Sequence, residues 1–538
     1  MRLIAVLIAA AALASAQADR IDGERIRPHV KFLSSDLLEG RGPGVRGGLL
    51  TQAYLADQFA AAGLKPAGDA GTYFQRVPLK LVEPNGAKEH LSFSIAGQTV
   101  ELKWLNDFIG MSRMQQPNVN FDADVVFVGH GIRAPEFGWD DYKGVDVKGK
   151  VVVLFTGEPP SDDPKFFGGK SLTYYGRWTY KYEEAARQGA LAALIIHTTP
   201  TASYGWEVVR GQSRPMPEVA HTPGTPELTL AGWLTSEAGA KLLAALNLNV
   251  ETALAAADKR GFRARPIGNA KVKADMEFRI SDIDTANVIG MVPGSDPRLK
   301  DEAVIFTAHW DHLGIGVPVN GDAIYNGALD NATGTAMLIE MARAWASQET
   351  KPKRSAYFAA VTSEESGLLG SAYLAEHPPV AAGKIAANLN FDSFAPFGRT
   401  RNGATPGAER TTLLPVVQKV ARESGLALDD NSRPDVSGGY YRSDHFSFAH
   451  AGVPAFSVEM GGDYIAKPAV FTPERMKKFG ASYHQPSDEY SEDWDFSGLE
   501  QFARFGVNLG VAIANLDTLP TWQPGDEFLP AREKSGVH

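Results

Sequence analysis

Two histidines and an aspartate fall within four positions at the end of an apolar run, in EAVIFTAHWDHLG. His309, Asp311 and His312 are costly to desolvate unless they are paired or bound to a metal. A lone His-x-Asp arises often by accident and is most simply a polar strand end. Here it has company. Asp330 sits in NGALDNATG, Glu364 and Glu365 end the run SAYFAAVTS, Asp392 ends ANLNF, and His484 lies in YHQPSD. Three of these four segments carry their polar groups at the carboxyl end of an apolar run, the edge at which open α/β sheets bind ligands. Imidazole nitrogen and carboxylate oxygen are the ligand types of a zinc centre. The ordered set is far more specific than any single motif.

The elements that must position these groups can be read around them. From about Ala270 onward, strand-like runs (ANVIGMVPG, EAVIFTAH, RSAYFAAVTSEE, AANLNFDS, VPAFSVE) alternate with helix-length segments. That alternation predicts an α/β fold with a mostly parallel sheet. Met337, Leu338, Met341 and Trp345 recur at helical spacing and are expected in the core. An earlier region, 119–269, has short β-branched runs between turns, with one helix-like segment (YKYEEAARQGA) leading into LAALIIHT; it reads as a separate β-rich module. The stretch 19–118 opens with a helical pattern and a glycine-rich loop, EGRGPGVRGG. No strand precedes that loop and no Lys-Ser/Thr follows it, so a connection is expected rather than a phosphate cradle.

The whole chain sets further bounds. At 538 residues it is long for one domain. Residues 1–18 pair a charged start with a short apolar stretch and Ala-x-Ala sites, which predicts a cleaved signal and an exported, periplasmic or secreted protein. No later apolar run is long enough to span a bilayer. There are no cysteines, which excludes a cysteine nucleophile and a Cys-ligated zinc. A net charge of −10 and the absence of a basic stripe give no sign of a nucleic-acid partner.

TAHWDHLG, YNGALDNATGTA, TSEESGLLGSAYL, NLNFDS and YHQPSDEY together resemble the M28 metallopeptidases, in that family's order. GHGIRAPEFGWDDYKGVDVKGKVVVLFTGEPP is similar to a protease-associated (PA) domain inserted in such peptidases, which implies boundaries near 119 and 269, with 19–118 and 270–538 belonging to the peptidase. The resemblance implies two zinc ions, one held by His309 and Asp392, the other by Glu365 and His484, with Asp330 bridging. Leu329 stands where many members carry a second acid. It further implies that Asp311 orients a histidine ligand, that Glu364 is the general base, and that the Tyr483 hydroxyl stabilises an oxyanion. His312 is left to packing or a loop hydrogen bond. The expected activity is an aminopeptidase acting on peptides. A carboxypeptidase is the alternative, with Arg399, Arg401 and Arg442 as candidate cations; a single-zinc glutaminyl cyclase and a metal-free receptor are weaker ones.

Overall fold

The computed structural model describes residues 21–211, 215–429, 434–468 and 470–537. The signal-like segment 1–18 lies outside them. The chain divides into two units: one of residues up to Val77 with Asp284–Arg433 and Arg442–His538, the other of Pro78–Ile283 with Pro434–Tyr441.

In the first unit, helices α1 (Gly23–Leu33) and α2 (Arg46–Ala61) precede the sheet. Its central strands are β1 (Ala286–Val292), β2 (Ala303–His309), β3 (Ser355–Val361), β4 (Ile385–Phe391) and β5 (Ala455–Met460). They lie in the order β1-β3-β2-β4-β5. β1 runs antiparallel to β3, and the other pairs are parallel. The expected α/β architecture with a mostly parallel sheet is therefore present. β2, β3 and β4 are buried at every position, as strands covered on both faces must be.

Helices α3 (Thr333–Ala346) and α4 (Ser497–Ala514) belong to this core. Met337, Leu338, Met341 and Trp345 are all buried, as their spacing implies. Phe306 stacks on Phe358 at 4.8 Å and meets Trp345 edge-on at 5.5 Å. Two glycines let α4 approach these rings: a Cβ on Gly510 would stand 2.3 Å from Phe306, and one on Gly506 2.6 Å from Phe391.

The second unit has its own sheet, in which 118–127, 151–155, 192–196 and 230–234 are parallel neighbours. Its boundaries differ from the 119–269 read from sequence. The 19-residue strand Arg265–Ile283 pairs with Leu79–Pro84 and His90–Ile95, which draws residues 78–118 into this unit and away from the peptidase segment. A short outlying piece, 434–441, completes it. The Leu172 N–H donates to the Asp435 carbonyl at 2.9 Å, the Ser171 hydroxyl accepts from the Asp435 N–H at 3.1 Å, and the Tyr174 and Tyr441 rings lie 6.1 Å apart.

Candidate metal centre

Strand register brings the donors together. His309 pairs with Val361 across β2 and β3, so Glu364 and Glu365 follow three and four residues beyond the same edge. Thr307 pairs with Asn390 across β2 and β4, which sets Asp392 level with His309. Asp330 arrives on the turn Ala328–Ala332 ahead of α3, and His484 on the loop after Phe471–Ser482. Ser363, Ser393 and His484 all have φ between 55° and 58°, a left-handed backbone that non-glycine residues hold only when their surroundings impose it.

The donor atoms form two groups sharing one carboxylate. His309 Nε2 lies 3.3 Å from Asp330 Oδ1 and 3.3 Å from Asp392 Oδ1. His484 Nε2 lies 3.3 Å from Asp330 Oδ2 and 3.0 Å from Glu365 Oε2. All five residues expected to bind metal are thus assembled, with Asp330 facing both ways.

Ligand atoms about 2.0–2.1 Å from a tetrahedral ion stand roughly 3.3 Å from one another, which is the spacing seen here. The orphaned atoms agree. His312 Nδ1, Glu365 Oε1 and His484 Nε2 are buried without an aligned hydrogen bond, although His312 Nδ1 is only 2.6 Å from Glu365 Oε1. Imidazole nitrogens and carboxylate oxygens converging at this spacing are the donor types a divalent cation takes. The residues fit a divalent metal.

The remaining expected residues fall as follows. Glu364 has a carboxylate oxygen within 4.8 Å of donor atoms of His309 and Glu365. Burial, reinforced by Glu365, Asp392 and Asp444, drives its carboxyl well above the ordinary range despite His309. The Asp311 carboxylate stands 3.8 Å from His309 Nδ1, too far for a hydrogen bond; the Asp311 main-chain oxygen, at 3.2 Å, is closer. The carboxylate instead accepts the Glu364 N–H at 3.1 Å, so it steadies the turn carrying the two glutamates. Tyr483 is half exposed and stacks on the His484 ring at 3.8 Å. His312, read as serving packing or a loop hydrogen bond, has its Nδ1 2.6 Å from Glu365 Oε1, and His312, Asp330 and Glu365 form a further group of donor atoms within 4.8 Å of one another.

Several contributors escaped the sequence. The Ser443 hydroxyl donates to Asp392 Oδ2 at 2.7 Å and accepts from Asn390 at 2.8 Å, which in turn accepts from Thr307 at 2.8 Å. The Asn331 amide donates to the Phe391 carbonyl and accepts from the Gly334 and Ser393 N–H groups, joining the Asp330 turn to the Asp392 loop. Asp444 is fully buried, and burial pushes its carboxyl up to about 7 against the pull of His309. A lone Ser, Asn or Asp in a loop carries no sequence signal for such a role.

A buried set of imidazoles and carboxylates at the carboxyl edge of an α/β sheet defines this unit as a metal-binding α/β protein. Residues 287–506 match the model of peptidase family M28. The chain is 26% identical over 253 residues to a Leupeptin-inactivating enzyme 1 of Streptomyces exfoliatus, covering 43% of this chain and 51% of that one. It is 24% identical over 391 residues to a probable leucine aminopeptidase 2 of Aspergillus oryzae, covering 69% and 63%. It thus spans about half to two thirds of the length of these relatives. Among solved structures it is similar to an aminopeptidase from Aneurinibacillus sp. strain AM-1, at 19% identity and a TM-score of 0.49, over 93% of this chain and 95% of that one.

Proposed function

We propose that this protein is an exported dinuclear zinc aminopeptidase that removes N-terminal residues from peptides. The observation that carries the reading is Asp330, whose two oxygens each stand 3.3 Å from a different histidine. His309, Asp392 and Asp330 would hold one ion, and Glu365, His484 and Asp330 the other. Bound there, the ions supply Lewis acidity, polarising a carbonyl and acidifying water. Glu364 serves as general base, taking a proton from the attacking water and passing it to the leaving amine. The Tyr483 hydroxyl donates to the carbonyl oxygen as negative charge develops on it.

Export rests on the signal-like segment 1–18, and the segment 119–269 is read as PA-like on its resemblance. The relative named a probable leucine aminopeptidase favours an amino-terminal over a carboxy-terminal exopeptidase. Of the candidate cations, Arg401 pairs with Asp463 at 2.7 Å on the exposed surface.

Free-amine and N-blocked chromogenic peptides, assayed with and without chelator, test the proposal. Chelator-sensitive cleavage confined to free-amine substrates is expected. Cleavage of N-blocked peptides from their carboxyl end would replace the reading with the carboxypeptidase one.

A further inference from the structure

The glycine-rich loop read as a connection delivers a buried cation to the donor set. Arg41 is 1% exposed. Its guanidinium donates to main-chain carbonyls: Nε to Trp310 at 2.8 Å, Nη1 to Leu33 at 2.6 Å and Asn326 at 2.5 Å, and Nη2 to Gly327 at 2.8 Å. Trp310 follows His309, and Gly327 precedes the turn that bears Asp330. One rigid planar fork therefore grips both ligand-bearing segments. The glycines make this approach possible, since a Cβ on Gly40 would stand 2.5 Å from the Tyr325 carbonyl oxygen.

The same turn is held from its other side by Asp488. Its carboxylate accepts the Leu329 N–H at 2.9 Å and the Asp330 N–H at 3.1 Å, and its carbonyl accepts the Ala328 N–H at 3.1 Å. From 326 to 330 the backbone is thus fixed at its carbonyls by a cation and at its N–H groups by an anion. Burial draws the Arg41 guanidinium down to about 10, while Asp488, Asp311, Asp330 and Glu365 pull in the opposite direction. Neither side chain occupies a donor position itself.

Resting on the two-metal reading above, we propose that Arg41 and Asp488 are positioning residues that together aim the Asp330 carboxylate between the two halves of the donor set. Supporting partners of metal ligands typically contribute about 10–100-fold to metal affinity.

The test uses the full chain and its Arg41→Lys, Asp488→Asn and double variants, stripped of metal and titrated with Zn²⁺ against a chromophoric chelator. Circular dichroism and melting of the metal-free proteins are read alongside. Each single variant should keep the metal-free fold and lose about 10–100-fold in Zn²⁺ affinity. The double variant should lose less than the product of the two, because both act on one turn. Unchanged affinity in either single variant overturns the proposal, and so does loss of the metal-free fold in both, which would assign them to folding. If only one variant fails to fold, the other decides. A wild-type chain that takes up fewer than two equivalents overturns the two-metal reading itself, and this proposal with it.

Discussion

Asp330 and His484 approach to 3.3 Å through Oδ2 and Nε2, matching the 3.3 Å between Asp330 Oδ1 and His309 Nε2. A residue that serves two ions should empty both positions when it is lost. Asp330→Ala is expected to take up no tightly held metal, whereas His484→Ala should retain close to one equivalent. Metal analysis after gel filtration distinguishes the two. Two equivalents retained by Asp330→Ala would show that this carboxylate bridges nothing.

Glu364 and Glu365 are adjacent and chemically identical, so only their surroundings separate their roles. Glu365 meets His312 and His484, while Glu364 lies toward His309. Glu364→Gln should keep the metal content and lower kcat by about 10²–10⁴-fold, with KM changed much less. Glu365→Gln should weaken metal binding as well. A Glu364→Gln enzyme with normal turnover would end its assignment as the base.

Gly510 sits where α4 crosses Phe306. Alanine is the better helix former by roughly 0.5–1 kcal/mol, yet its methyl would lie 2.3 Å from one ring atom of Phe306 and 3.1 Å from Trp345. Overpacking costs about 1–3 kcal/mol, so steric conflict wins. Gly510→Ala should lower the thermal midpoint by several degrees, and a variant as stable as wild type would disprove the close contact.

Glu89, in the second unit, is buried; Oε1 accepts the Asn85 N–H at 2.9 Å and Oε2 has no hydrogen-bond partner among the described residues. Burial lifts its carboxyl from 4.5 to about 8. The folded protein therefore holds this proton more tightly than the unfolded chain does. Its contribution is fully present below pH 4.5 and is lost as the pH rises through about 8. Glu89→Gln carries no such charge. Melting at pH 5 and pH 8 should show the variant gaining on wild type at the higher pH, by on the order of 1–3 kcal/mol. A gap independent of pH would refute the shifted carboxyl.

Much of the donor set was legible because its residues follow apolar runs that can only be buried strands, and parallel register then aligns their ends. His309, Glu365 and Asp392 are readable in this way. Arg41 was not, because its acceptors are main-chain carbonyls, one of them 285 residues distant, and peptide groups leave no mark in a sequence. The same holds for Asp488, whose carboxylate accepts from the Leu329 and Asp330 N–H groups of that turn. The grouping of residues 78–118 with the second unit left no mark for a related reason: Leu79–Pro84 pairs with a strand nearly two hundred residues later in the chain.

The outlying piece 434–441 bears on how the second unit can be inherited. Its main chain and the Tyr441 ring engage Ser171, Leu172 and Tyr174, so the unit is encoded in two separate stretches of the gene. A recombination event that acquired or discarded 78–283 alone would leave an eight-residue remnant without its hosts. A chimera that grafts this unit from another chain must therefore carry both stretches to keep these contacts.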